Sequence, residues 1–98
     1  MDIKLVLNGI TFIWNAEKAS QNYQKHQGIT FEQAAAVFFD PFLVIVDASR
    51  NGESRDAVIG MDKFWNLLFV VHIEQENEMI RIISARNATR QERNYYEN

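Results

Sequence analysis

Four arginines, Arg81, Arg86, Arg90 and Arg93, fall close together near the C-terminus with one acid, Glu92, among them. This local balance of +3 sits on a chain whose formal net charge is −3. A basic patch on an acidic protein suits one anionic partner at one place, not general adhesion to polyanions. The planar guanidinium fork matches phosphate oxygens better than an ammonium does. Thr89 and Glu92 have the spacing of a helix-capping box, so a short helix is expected to start there. Its first backbone N–H groups lack intrahelical partners and form an anion site, with Arg86 and Arg90 on either side. His72 adds an imidazole, the side chain best suited to proton transfer near neutral pH. No metal centre and no cofactor are expected: the carboxylates are scattered, and His26 and His72 belong to different elements. Without cysteine there is no thiol nucleophile, thiolate metal site or disulfide framework.

The elements that must position these groups follow from periodicity. "IKLVLNGITFIW" reads as two strands around Asn8-Gly9, a hairpin turn. Asn15 caps a helix over "AEKASQNYQKHQ", with Ala16, Ala19, Tyr23 and His26 on one face and Gly28 at its end. Thr30 and Gln33 form a second capping box, and Ile29 is placed to staple onto Ala34. The helix over "FEQAAAVFF" is mostly apolar, so much of it should be buried, and Pro41 stops it. Four strands then follow at 42–47, 55–61, 66–74 and 79–86, before the last helix through Tyr95 and Tyr96. The expected fold is α+β: an N-terminal β-hairpin, two helices, a four-stranded antiparallel meander and a short C-terminal helix.

Hairpin loops decide which side chains share a face. A loop at 62–65 pairs Met61 with Asn66 and sets Arg55 opposite His72, leaving Val58, Leu67, Phe69 and Val71 on the core face. A loop at 75–78 then brings Arg81 beside His72 and turns Ile80 and Ile82 to the core. A loop at 74–78 instead buries Arg81 and brings Arg86 to the Arg55 face. Either register gathers Arg55, His72 and one more arginine. Against this stand simpler roles: a hydrogen-bonded scaffold histidine, arginines paired with surface carboxylates, and Glu92 as a helix cap.

The 98 residues make one domain, 1–98, with 47% apolar and 23% charged residues, ordinary values for a soluble globular chain. The longest apolar runs, such as "LLFVV" at 67–71, are too short to cross a membrane. "MDIKLVLNG" lacks the pattern of a signal peptide, so a cytoplasmic location is expected.

The chain resembles the BrnT family of type II toxins, small ribonucleases related in fold to the RelE/ParE superfamily. The resemblance lies in "FIWNAEKASQN" (12–22), "KH" followed by "GITFEQAAAVFFDP" (25–41), "RDAVIG" (55–60), "LLFVVH" (67–72) and "IRIISARNATRQERNYYE" (80–97), the last being the most specific. Departures are Asn15 where the family usually has Asp, Ser54 where a Glu usually precedes the arginine, a slightly long 74–78 turn, and Gln27, which looks like an insertion between the usual Lys-His and Gly. The resemblance implies endonucleolytic RNA cleavage that slows translation, restrained by a BrnA antitoxin. Such antitoxins join a DNA-binding ribbon-helix-helix part to a toxin-binding segment, and the complex represses its own operon. Operator DNA is thus reached only through the complex, expected as a dimer of heterodimers. The family's basic positions map onto Lys18, Lys25, Arg55, Arg81 and Arg86, with His26 and His72 beside them.

Metal-independent cleavage needs a base for the ribose 2′-OH, an acid for the leaving 5′-oxygen and positive charge for the phosphorane. His72 is expected to move the proton, and Arg55 with Arg81 or Arg86 to stabilise the charge. Lys18, Lys25, His26 and Arg90 are expected to bind RNA. Two other readings use the same patch: a non-catalytic module binding nucleic acid or an anionic peptide, and a co-repressor. Surplus apolar surface from "FEQAAAVFF", Trp14, Tyr95 and Tyr96 is expected to meet the partner.

Overall fold

A computed structural model describes residues 1–98, apart from the side chain of Glu76. Asn8 and Gly9 both take left-handed backbone angles and join β1 (Asp2–Leu7) to β2 (Ile10–Asn15). Asn15 then caps α1 (Ala16–Lys25), its side chain accepting from the Lys18 N–H at 3.0 Å. Both halves of the Thr30–Gln33 capping box are formed at the start of α2 (Phe31–Val37), and Phe31, Ala34, Ala35 and Val37 are buried. β3 (Val44–Asp47), β4 (Asp56–Met61), β5 (Leu67–Glu74) and β6 (Met79–Asn87) follow, and α3 (Arg90–Glu97) opens on the Thr89–Glu92 box.

The class is α+β, but the sheet is larger than the sequence suggested. It has six strands in the order β1-β2-β6-β5-β4-β3. Neighbours from β3 through β6 pair antiparallel, while β2 lies parallel to β6, with Phe12 beside Ile80. The N-terminal hairpin is therefore part of the same sheet as the later strands, and the sheet is mixed. The apolar side chains of β2 explain this: Phe12 and Trp14 are fully buried in the core that Ile82, Val70 and Leu68 also line. α1 and α2 cover that face of the sheet.

Both expected hairpin registers are shifted. Met61 pairs with Leu67, and Asp56, not Arg55, stands opposite His72. The cause is Asp62, whose buried carboxylate accepts from the N–H groups of Phe64 and Asn66 and from the side chains of Asn66 and Gln33. Burial alone would raise its pKa, but these hydrogen bonds hold the carboxyl below its ordinary range. The turn it builds occupies residues 62–66, one more than expected, and one residue is enough to exchange the two faces of a strand.

At the next hairpin Glu74 pairs with Ile80. A β-bulge beside Val71 and His72 then rephases β6, so that Ile82 faces His72 while Ala85 faces Val70. As a result Ile80, Ile82 and Ala85 all turn to the helix-covered core, and Arg81 and Arg86, an odd number of residues apart, both turn to the other face.

α3 begins over that other face and runs back to the end of β4. Its far end is held by the Tyr96 hydroxyl, which donates to Asp40 Oδ2 at 2.6 Å. The same oxygen accepts from the Met61 N–H at 2.8 Å. Burial and the neighbouring carboxylate push the Tyr96 phenol up to about 12.

Candidate nucleic-acid interface

Strand alternation puts Arg81 and Arg86 on the outer face of the sheet, with Arg55 in phase with them at the start of β4. Each has a carboxylate partner. Arg55 pairs with Glu53 at 3.1 Å, Arg81 with Asp2 at 3.0 Å, and Arg86 with Glu92 through two bonds of 2.8 and 2.9 Å. The carboxylates of the first two pairs are about half exposed and make no second hydrogen bond of comparable length to the arginine, so they hold it weakly.

Arg86 is held more firmly. Its guanidinium lies 4.2 Å over the Phe69 ring and also donates to the Asn87 carbonyl. The hydrogen bond to Glu92 raises the Arg86 pKa and lowers that of Glu92. Glu92 Oε1 accepts from the Thr89 N–H as well, at 2.9 Å. The anion expected at the start of α3 is thus supplied by the chain itself: a carboxylate stands where a phosphate was foreseen.

Beside Arg86 the structure brings together two further expected residues. Lys25, His26, Gln27, Arg86 and Asn87 line a cleft of about 210 Å³ between the end of α1 and the end of β6. α1 stops at Lys25, earlier than the sequence suggested, and Gln27 and Gly28 turn the chain with φ of 57° and 80°. Lys18 lies two turns before Lys25 and is exposed on the same side of α1. Arg90 is exposed at the first position of α3, with no ion pair among the described residues.

His72 is not brought to this cleft. It lies on the helix-covered face, 3% exposed, edge-on to Phe38 with ring centroids 4.8 Å apart. Burial depresses its pKa, against the opposing influence of the Val70 backbone and of Asp56 and Glu74. Its Nδ1 has no hydrogen-bond partner among the described residues. The register that put His72 among the arginines is corrected by the turn at Asp62.

Asn22 was missed by the sequence reading, which grouped Tyr23 with Ala19 on one face of α1. Tyr23 is exposed, and Asn22 is buried. The Asn22 amide donates to the Ala85 carbonyl at 2.9 Å and accepts from the Ala85 N–H at 3.0 Å, pairing with β6 much as a neighbouring strand would. It also donates to the Ile29 carbonyl at 3.3 Å. This ties the two walls of the cleft together one residue before Arg86. The available signal was position: Asn22 lies one turn beyond Ala19, which packs against the core.

The expected apolar surface is also redistributed. Trp14 and most of α2 are buried, whereas Phe42, Phe64 and Trp65 are exposed. Among the described residues, no three His, Asp or Glu side chains come together in a way that could hold a metal ion. No helix is long and apolar enough to cross a membrane.

Comparison with curated proteins gives no match. Residues 14–92 match the family model described as "Ribonuclease toxin, BrnT, of type II toxin-antitoxin system". That span takes in α1, the Asn22 tie, both walls of the cleft and Glu92, and on it the chain belongs to the BrnT family of ribonuclease toxins.

Proposed function

We propose that the protein is an endoribonuclease toxin that cleaves RNA at the cleft between α1 and β6, without a metal ion. The observation that carries this reading is the convergence of Lys25, His26 and Arg86 on one cleft, in a chain of a ribonuclease toxin family. His26 takes the proton from the ribose 2′-OH, an imidazole being the usual group for that task near neutral pH. The 2′-oxygen attacks phosphorus, the bond to the 5′-oxygen breaks, and that oxygen leaves with a proton from solvent. The products are a 2′,3′-cyclic phosphate and a 5′-hydroxyl. Arg86 faces the phosphorane with two donors, and Lys25 supplies a second positive charge. Arg55, Arg81, Lys18 and Arg90 guide the flanking backbone.

Phosphate competes with Glu92 for Arg86 in this scheme, so binding exchanges one charge-assisted pair for another. Incubating purified, antitoxin-free protein with end-labelled RNA and mapping both termini tests the reading. Defined cuts ending in cyclic phosphate support it; intact RNA bound to the protein would refute cleavage.

The partner in this reading is a small ribbon-helix-helix antitoxin of the BrnA type, joined in a dimer of heterodimers that contacts operator DNA and represses the operon in the cytoplasm. The exposed Phe42, Phe64 and Trp65 offer apolar surface for such a contact. We also place the fold with the RelE/ParE group. Co-expression with the neighbouring gene, followed by light scattering, measures the stoichiometry. A non-catalytic, co-repressing role draws support from one observation: Arg55, Arg81 and Arg86 each already hold a carboxylate. Growth arrest on induction without the antitoxin separates the two.

A further inference from the structure

We infer that the Gln27–Asn87 amide pair at the edge of the cleft is a base-reading subsite, selective for adenine next to the scissile phosphate. The inference rests on the RNA-cleft reading above and adds what the cleft recognises.

Asn87 Nδ2 donates to Gln27 Oε1 at 3.3 Å, across the same cleft that Lys25, His26 and Arg86 line. That single bond leaves the Asn87 oxygen as an acceptor and the Gln27 amide as a donor, and neither has another partner among the described residues. One free acceptor and one free donor on a bonded amide pair are the two group types that the adenine N6/N7 edge calls for, the edge that Asn and Gln amides read in nucleic acids. Guanine presents acceptors at both N7 and O6, so the Asn87 oxygen would repel it there. The cations alongside would hold phosphates, which carry no sequence information, so the amides are the groups in the cleft equipped to choose.

Two features show that the pair is placed by the fold. Gln27 holds a left-handed backbone, φ 57°, although it has a side chain that disfavours it. The buried Asn22 clamps α1 to Ala85, two residues before Asn87, which fixes the spacing of the two amides.

The test uses non-cleavable 2′-O-methyl pentanucleotides, uridine throughout except for A, G, C or U at the centre, titrated against the whole protein by fluorescence anisotropy. The expected result is tighter binding of the adenine oligonucleotide, by about tenfold over guanine. Gln27→Gly should melt like the parent, because glycine accepts the left-handed angle freely, yet lose the adenine preference. Asn87→Ala should lose it too. Equal binding of all four oligonucleotides would overturn the base-reading subsite alone. A preference that survives in both variants would overturn it equally. No binding of any oligonucleotide would overturn the RNA-cleft reading and this inference together.

Discussion

Glu92 places both carboxylate oxygens on the guanidinium of Arg86, at 2.8 and 2.9 Å, while the same carboxylate caps α3 through the Thr89 N–H. The strongest anion-binding side chain of the cleft is therefore locked to the helix that follows it. One residue pair links phosphate binding to the docking of α3, and mutations here should move activity and stability together unless both members change.

Arg86→Ala is expected to lower RNA cleavage by ~10²–10³-fold, the usual cost of one charge-assisted contact made in the transition state. The melting temperature should fall as well, because Glu92 loses its partner. Adding Glu92→Ala should recover part of that stability and none of the activity. Thermal melts beside cleavage rates of the single and double variants check this; full activity in the folded single variant would sink the site.

Glu92→Gln removes the competing charge and leaves a side chain that can still accept from Thr89. RNA should bind more tightly, and the slope of log K against log salt should steepen by about 0.7, the value for one more phosphate contact on a single strand. Titrations across a salt series measure it. Weaker binding would mean that Glu92 aims Arg86 rather than shielding it.

Asn22→Ala should cost about 2–3 kcal/mol, since both backbone groups of Ala85 lose their side-chain partner in a buried place. Urea denaturation gives the figure. The cleft walls should loosen with it, so KM for RNA is expected to rise more than kcat falls.

His72 makes stability depend on acid. Its folded pKa lies below the ordinary 6.5 because burial disfavours the imidazolium. The unfolded chain therefore takes up a proton first, so the contribution is complete above pH 6.5 and is lost as pH falls from there through the depressed folded value. Melting temperatures measured downward from pH 7 should show this decline, and His72→Leu should flatten it. The same variant should keep its RNA cleavage, because the imidazole lies on the helix-covered face, away from the cleft. A large loss of cleavage in a folded His72→Leu protein would return His72 to the reaction.

Excess EDTA should leave the cleavage rate unchanged, because the described carboxylates and histidines do not converge as metal ligands. Loss of activity on chelation, restored by a divalent ion, would require a different chemistry.

The local signals in the sequence were dependable. Asn15, Thr30 and Thr89 cap the helices they were expected to cap, and Asn8-Gly9 makes the first turn. Each depends on residues within a few positions of one another. Face assignment was not legible, because it hung on single residues at a turn and at a bulge. Asp62 draws one extra residue into the first, and the bulge after Ile82 changes phase within a strand. Either shift alone relocates His72 or an arginine. The cleft itself was partly visible: Lys25, His26 and Arg86 were identified separately, but their meeting depends on Asn22 reaching β6, a contact between residues distant in sequence.

The parallel seam between β2 and β6 also governs when the fold can be completed. It joins Thr11 to Met79, so the N-terminal hairpin has no sheet neighbour until Met79 has been made. The cleft obeys the same order, since Lys25 waits for Arg86 and Arg86 for Glu92. Contacts this distant form late and slowly compared with local ones. A chain still emerging from the ribosome carries helix α1 and its cations but not the opposite wall. The two walls of the cleft are therefore brought together only after Glu92 has been synthesised.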